Sequence, residues 1–189
     1  AWELKYRHGA LASWEFTRKG GAGAVPAHIR GTVIHGVLER IEAEAELSRL
    51  LDETIGSLDD PDIENALGAG SAYREALEQE IAKVIESSEW AAYTEGEHYR
   101  ELSFVHLAGE RAWRAGAFDL YRPREAEGSA RSLVVDFKTH PVESAEEADR
   151  VAEGYSVQVG VYRDAAGMRG AAEVRLEFTS LAAGGTGLP

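Results

Sequence analysis

Apolar residues recur at three- and four-residue spacing from Ala27 or His28 to about Leu51, with Ile34, Val37, Leu38 and Ile41 on one stripe, so the spacing predicts a long helix with a single buried face. Gly56 to Gly70, with Pro61 and several acids, reads as a connection. A second helix is expected from Ser71 to Trp90, opened by a serine cap and carrying the apolar residues Ala76, Leu77, Ile81, Val84 and Ile85. The pattern then shortens to runs rich in β-branched and aromatic residues near His98 to Leu107, Glu110 to Arg122 and Ala130 to Thr139. These predict three strands, the first two joined at Ala108-Gly109 as an antiparallel hairpin and the next two by the polar loop Pro123 to Ser129. A helix from about Ser144 to Ala166 opens on Ser144 with Glu147 three residues later, a capping box, and Ala171 to Leu181 makes a fourth strand. A strand reached over a helical crossover is expected to run parallel to an earlier one, giving an α/β fold with a mixed central sheet flanked by helices. Residues 1–28 read as an entry segment and flexible loop, 29–181 as one domain and 182–189 as a tail.

The chemistry concentrates where these strands end. Leu133-Val134-Val135-Asp136-Phe137-Lys138-Thr139 is an apolar run that delivers an acid and a lysine two positions apart. Alternation puts Asp136 and Lys138 on one face and turns Phe137 into the core. The preceding strand brings Asp119 behind Gly116-Ala117-Phe118. Two acids and a lysine on adjacent strands suit a hard divalent cation and a positive charge beside a phosphate, the minimum for metal-assisted phosphodiester hydrolysis.

The arrangement D-x16-D-x-K resembles the PD-(D/E)xK nuclease superfamily. Gly31-Thr32-Val33-Ile34-His35-Gly36-Val37-Leu38-Glu39 looks like the GTxxHxxLE helix of RecB-type nucleases. Tyr155-x-x-Gln158-x-x-x-Tyr162 is similar to their QxxxY element, and Arg100-Glu101-Leu102-Ser103-Phe104 resembles their ExPF strand, with Ser103 where proline is usual. The resemblance implies a restriction-endonuclease-like αβββαβ core and a Mg²⁺- or Mn²⁺-dependent DNA exonuclease. It implies His35, Asp119, Asp136 and the Phe137 carbonyl as metal ligands, Glu101 as an additional acid, Lys138 acting on water and phosphate, and Gln158 and Tyr162 as further site residues. Tyr155 and Thr139 are weaker candidates, and Glu39 is either a partner that orients His35 or a solvated glutamate. The nearest type is the RecB/AddA nuclease domain, which implies a single DNA strand as substrate, a helicase on the same polypeptide, partner subunits, and work in double-strand-break repair. Two alternatives stay open: a stand-alone phage- or restriction-type exonuclease, and a catalytically silent scaffold.

Composition narrows this. The absence of cysteine excludes an iron–sulfur cluster held by thiolates. No apolar run approaches the length of a membrane span and no leader is visible, so a cytoplasmic protein without membrane contact is expected. Because it enters directly on Ala1-Trp2, the sequence is expected to be part of a longer polypeptide. A net charge of −13 opposes free-standing binding of a polyanion. Much of the acid is expected on solvated faces in Glu39 to Asp62 and Glu143 to Glu153, whereas Arg111, Arg114, Arg122, Arg124 and Arg131 flank the strands carrying the candidate acids.

Overall fold

The computed structural model describes residues 25–108, 112–123, 131–167 and 172–180. The helices α1 (Ala27–Leu38), α2 (Leu47–Gly56), α3 (Pro61–Ala66), α4 (Ala72–Ile85) and α5 (Ser88–Thr94) come first, with a 3-10 turn at Glu44–Glu46 before α2. Three strands follow, β1 (Tyr99–Ala108), β2 (Ala112–Arg122) and β3 (Ser132–Lys138), then α6 (Ala145–Glu153), α7 (Ser156–Gly167) and β4 (Ala172–Phe178). The sheet has the order β1-β2-β3-β4, with β1/β2 and β2/β3 antiparallel and β3/β4 parallel. This is a mixed α/β, restriction-endonuclease-like arrangement, and the crossover strand is parallel as its connection requires.

The helices divide more finely than the periodicity suggests. The expected helix from Ala27 to Leu51 is two helices, because the chain folds back after Leu38 and Arg40 bridges the break. Arg40 Nε donates to Gly36 O at 2.9 Å, and its guanidinium reaches Thr54 and Glu53 of α2. Ile41 stays buried across the break, so the stripe continues although the helix does not. The connection 56–70 holds α3, whose N-terminus is capped by Asp60 accepting from the Asp62 and Ile63 amides, with Pro61 at its first position and Ile63 buried. Ser71 caps α4 as expected, accepting from Arg74 N at 3.1 Å, but the helix stops at Ile85. Ser87 then caps α5 by accepting from Trp90 N, which swings the Trp90 ring to 5.9 Å from that of Phe137. The expected helix from Ser144 to Ala166 breaks at Gly154-Tyr155 into α6 and α7. Ser144 caps α6 through Glu147 N, and Glu147 accepts in return from Glu143 N.

Burial separates into layers on the two faces of the sheet. Val33, Ile34, Val37 and Ile81 from α1 and α4 pack with Leu120, Val135 and Phe137. Tyr162 and Ala166 of α7 pack on the other side with Phe118, Val134 and Val174, while Ala148 and Ala152 of α6 cover Leu176 and Phe178. The sheet is thus buried on both faces at its centre, as a parallel edge reached by crossover requires. The expected entry segment up to residue 24, the hairpin turn beyond Ala108, most of the Pro123–Ser129 loop, the tail, Arg111 and Arg124 lie outside the described residues.

Candidate active site

Two irregularities of the sheet build the site. The β2/β3 ladder pairs Arg122 with Leu133, Tyr121 with Val134 and Leu120 with Val135, and then stops. One more step would set Asp119 opposite Asp136. Instead Asp119 Oδ2 accepts the Phe137 amide at 2.8 Å, so a carboxylate replaces the ladder carbonyl and the two strands part between the two acids. The second irregularity faces it across β1, where Arg100 pairs with Leu120 and Leu102 with Phe118 but Glu101, between them, has a left-handed φ of 47°. Alternation would keep Phe118 and Leu120 on one face, yet Phe118 packs on the α7 side and Leu120 on the α1 side. The strand therefore switches faces at Asp119, and its carboxylate comes to α1.

The left-handed backbone at a non-glycine residue stores roughly 1–3 kcal/mol, of the kind that persists where function over-determines it. Glu101→Gly is therefore expected to be about 1 kcal/mol more stable than Glu101→Ala in thermal or urea unfolding, since only glycine accepts this φ without penalty. Equal stability of the two variants would show the conformation to be unstrained.

His35, Glu101 and Asp119 converge so that one ligand atom from each lies within 4.8 Å of the others, and His35 Nδ1 is 3.4 Å from Asp119 Oδ2. The helix carrying His35 is tied to the end of β3. Arg30 donates to Thr139 O and to the Glu80 carboxylate, Thr179 Oγ1 donates to the other Glu80 oxygen, and Thr179 N donates to Lys138 O at 3.0 Å. Gly31 permits the approach, since a Cβ there would stand 3.1 Å from Thr139 Oγ1. Thr139 thus serves as an anchor for α1. Glu39 sits exposed at the C-cap of that helix, and the carboxylate beside His35 is Asp119.

Asp136, 3 % exposed, belongs to a neighbouring cluster on the α7 side. Lys138 forms an ion pair with Asp136 Oδ2, donates to Gln158 Oε1 at 2.9 Å and places its ammonium 4.1 Å over the Tyr155 ring. Gln158 Nε2 donates to Tyr162 Oη at 2.8 Å, and the Tyr162 hydroxyl donates to Asp136 Oδ1 at 3.3 Å. The break at Gly154-Tyr155 is what lets Tyr155, Gln158 and Tyr162 present together to β3. Burial pushes the Asp136 carboxyl above the ordinary carboxylate range and the negative charge of Asp119 adds to this, while Lys138 opposes both. Burial and the same two acids push the Tyr162 phenol far above its usual value, so it remains a hydroxyl donor.

These donors fit a divalent cation. Two carboxylates and an imidazole stand within coordinating reach of one another, and Asp136 Oδ2 is buried with an ammonium beside it but no partner in hydrogen-bond geometry. Arg30, Glu80 and Thr179 escape the sequence reading. Arg30 adjoins the Gly31-Thr32 signature, but its partners lie 50 and 109 residues away and leave no local signal.

Among the described residues no helix is long and apolar enough to cross a membrane. A comparison with curated proteins found no match. The sequence profile of the PD-(D/E)XK nuclease superfamily matches residues 1–185, a span that contains every side chain of the site, all four strands and the helices around them. The chain accordingly belongs to the PD-(D/E)XK nuclease superfamily.

Proposed function

We propose that this domain hydrolyses DNA phosphodiester bonds as an exonuclease using Mg²⁺ or Mn²⁺, and that it is the nuclease module of a RecB/AddA-type helicase–nuclease acting in cytoplasmic double-strand-break repair and recombination. The observation that carries this is the convergence of His35, Glu101 and Asp119 beside the buried Asp136–Lys138 pair. His35, Glu101, Asp119, Asp136 and the Phe137 carbonyl would hold the cation, which supplies a low-pKa water and polarises the phosphate. The imidazole favours Mn²⁺ being accepted alongside Mg²⁺. Lys138 presents its ammonium to the phosphate and the attacking water. Gln158 and Tyr155 hold that ammonium in place, and Tyr162 holds the Asp136 carboxylate. The net charge of −13 supports a partner that feeds the strand, the role a helicase on the same polypeptide would fill.

The test is degradation of an end-labelled oligonucleotide by the purified chain with millimolar Mg²⁺ or Mn²⁺ and with chelator. Cation-dependent loss of label from one end is expected. Binding of Mn²⁺ without cleavage of any linear DNA, with or without a helicase partner, would overturn it.

A further inference from the structure

We propose that the outward face of the β1/β2 hairpin is a stacking track for the unpaired bases of single-stranded DNA, ending on the candidate metal site. The inference rests on the nuclease reading above. The register sets Ser103 with Ala117, Val105 with Ala115 and Leu107 with Trp113 on one face, and Phe104 with Gly116 and His106 with Arg114 on the other. The second face is covered: the Phe104 ring stacks 4.6 Å from Phe118 and meets Tyr162 of α7 edge-on at 5.8 Å. Gly116 makes room for it, since a Cβ there would fall 2.9 Å from Phe104 Cζ. The first face is open at its outer end, with Trp113 71 %, Val105 64 % and Leu107 44 % exposed, and continues inward along exposed Ser103 of β1, where Ala117 of β2 is buried.

Continuity selects the occupant. Along this face towards the sheet centre, the positions after Ser103 and Ala117 are Glu101 and Asp119, which the ladder leaves unpaired and which are two of the three residues of the metal cluster. The six residue steps from Trp113 to Asp119 span about 20 Å. A ligand lying on the stripe therefore runs directly onto the carboxylates, which is what a substrate must do. Charge selects its chemistry. The stripe carries no ionic side chain among the described residues, so it offers nothing to a phosphate backbone and everything to a base face. Stacking is open only to unpaired bases, because those of a duplex present their faces to one another. It also needs no excess of Lys and Arg, which a chain of net charge −13 lacks.

The experiment is equilibrium anisotropy of fluorescein-labelled oligothymidylate in chelator, where hydrolysis cannot intervene, with wild-type protein, Trp113→Ala and Trp113→Phe. Alanine is expected to weaken binding about ten- to a hundred-fold, the range for loss of one stacked base, and phenylalanine to restore most of it. The wild-type affinity is expected to vary only shallowly with salt. Mn²⁺ affinity, which the metal cluster sets, should be the same in all three. Unchanged affinity in Trp113→Ala, or no binding by the wild type, would overturn the track; unchanged affinity together with an altered oligomeric state would assign the face to a protein interface instead. Trp113-dependent binding by a protein that cleaves nothing with either cation would leave the track standing and remove the nuclease reading.

Discussion

Asp136→Asn is expected to abolish DNA cleavage while leaving the metal-free protein at least as stable as the parent at neutral pH. The two effects come from one circumstance, a carboxylate held in a dry site beside a second carboxylate. Burial raises its folded pKa above the unfolded value of about 4, so the folded state binds the proton more tightly. Stability from this group is therefore full below that unfolded value and is lost as pH rises through the window up to the folded pKa. An amide removes the loss and keeps the steric fit, so the variant should gain on the parent above the window and converge with it in acid. Asp119 offers the contrast, because its carboxylate also satisfies the Phe137 amide. Asp119→Ala should lose cleavage and roughly 1–3 kcal/mol of stability as well, by leaving that buried N–H without an acceptor. Nuclease assays paired with urea unfolding across pH check both. Full activity in Asp136→Asn would remove this residue from the site.

Lys138→Ala is expected to lower the cleavage rate by about 10²–10³-fold, the usual consequence of deleting one preorganised electrostatic group, with Mn²⁺ affinity unchanged or slightly higher. The ammonium competes with a cation for Asp136 Oδ2, so its removal frees that oxygen. Single-turnover rates at saturating Mn²⁺ separate the two effects. Restored activity at high Mn²⁺ would show that the lysine serves binding and not chemistry.

The parts of the site that could be read from the sequence are those fixed by local periodicity. Asp136 and Lys138 share an environment because a strand alternates, and Gln158 and Tyr162 share one because a helix repeats. The helix breaks were not legible, since Ile41 continues the buried stripe in phase across the turn at Glu39–Arg40 and nothing in the spacing marks the interruption. Serine at 87 was a cap hidden inside a periodic run, visible only once Trp90 had a reason to turn inward. The left-handed backbone at Glu101 has no sequence signature at all, since a glutamate there stands against its own conformational preference. The clamp of Arg30, Glu80 and Thr179 joins three elements distant in sequence, so only tertiary structure reveals it.

The brevity of the β2/β3 ladder has a dynamic consequence. Among the described residues β1 and β2 share nine pairs and β3 and β4 share seven, whereas only three join β2 to β3. The sheet is thus two stiff plates sewn together along a short seam, and both acids of the D-x16-D signature sit at the open end of that seam, one on each plate. Local opening that is cheapest along this line separates Asp119 from Phe137 before either plate frays. An ion gripping both edges would act as a stitch, coupling the fluctuation of the sheet to the occupancy of the site.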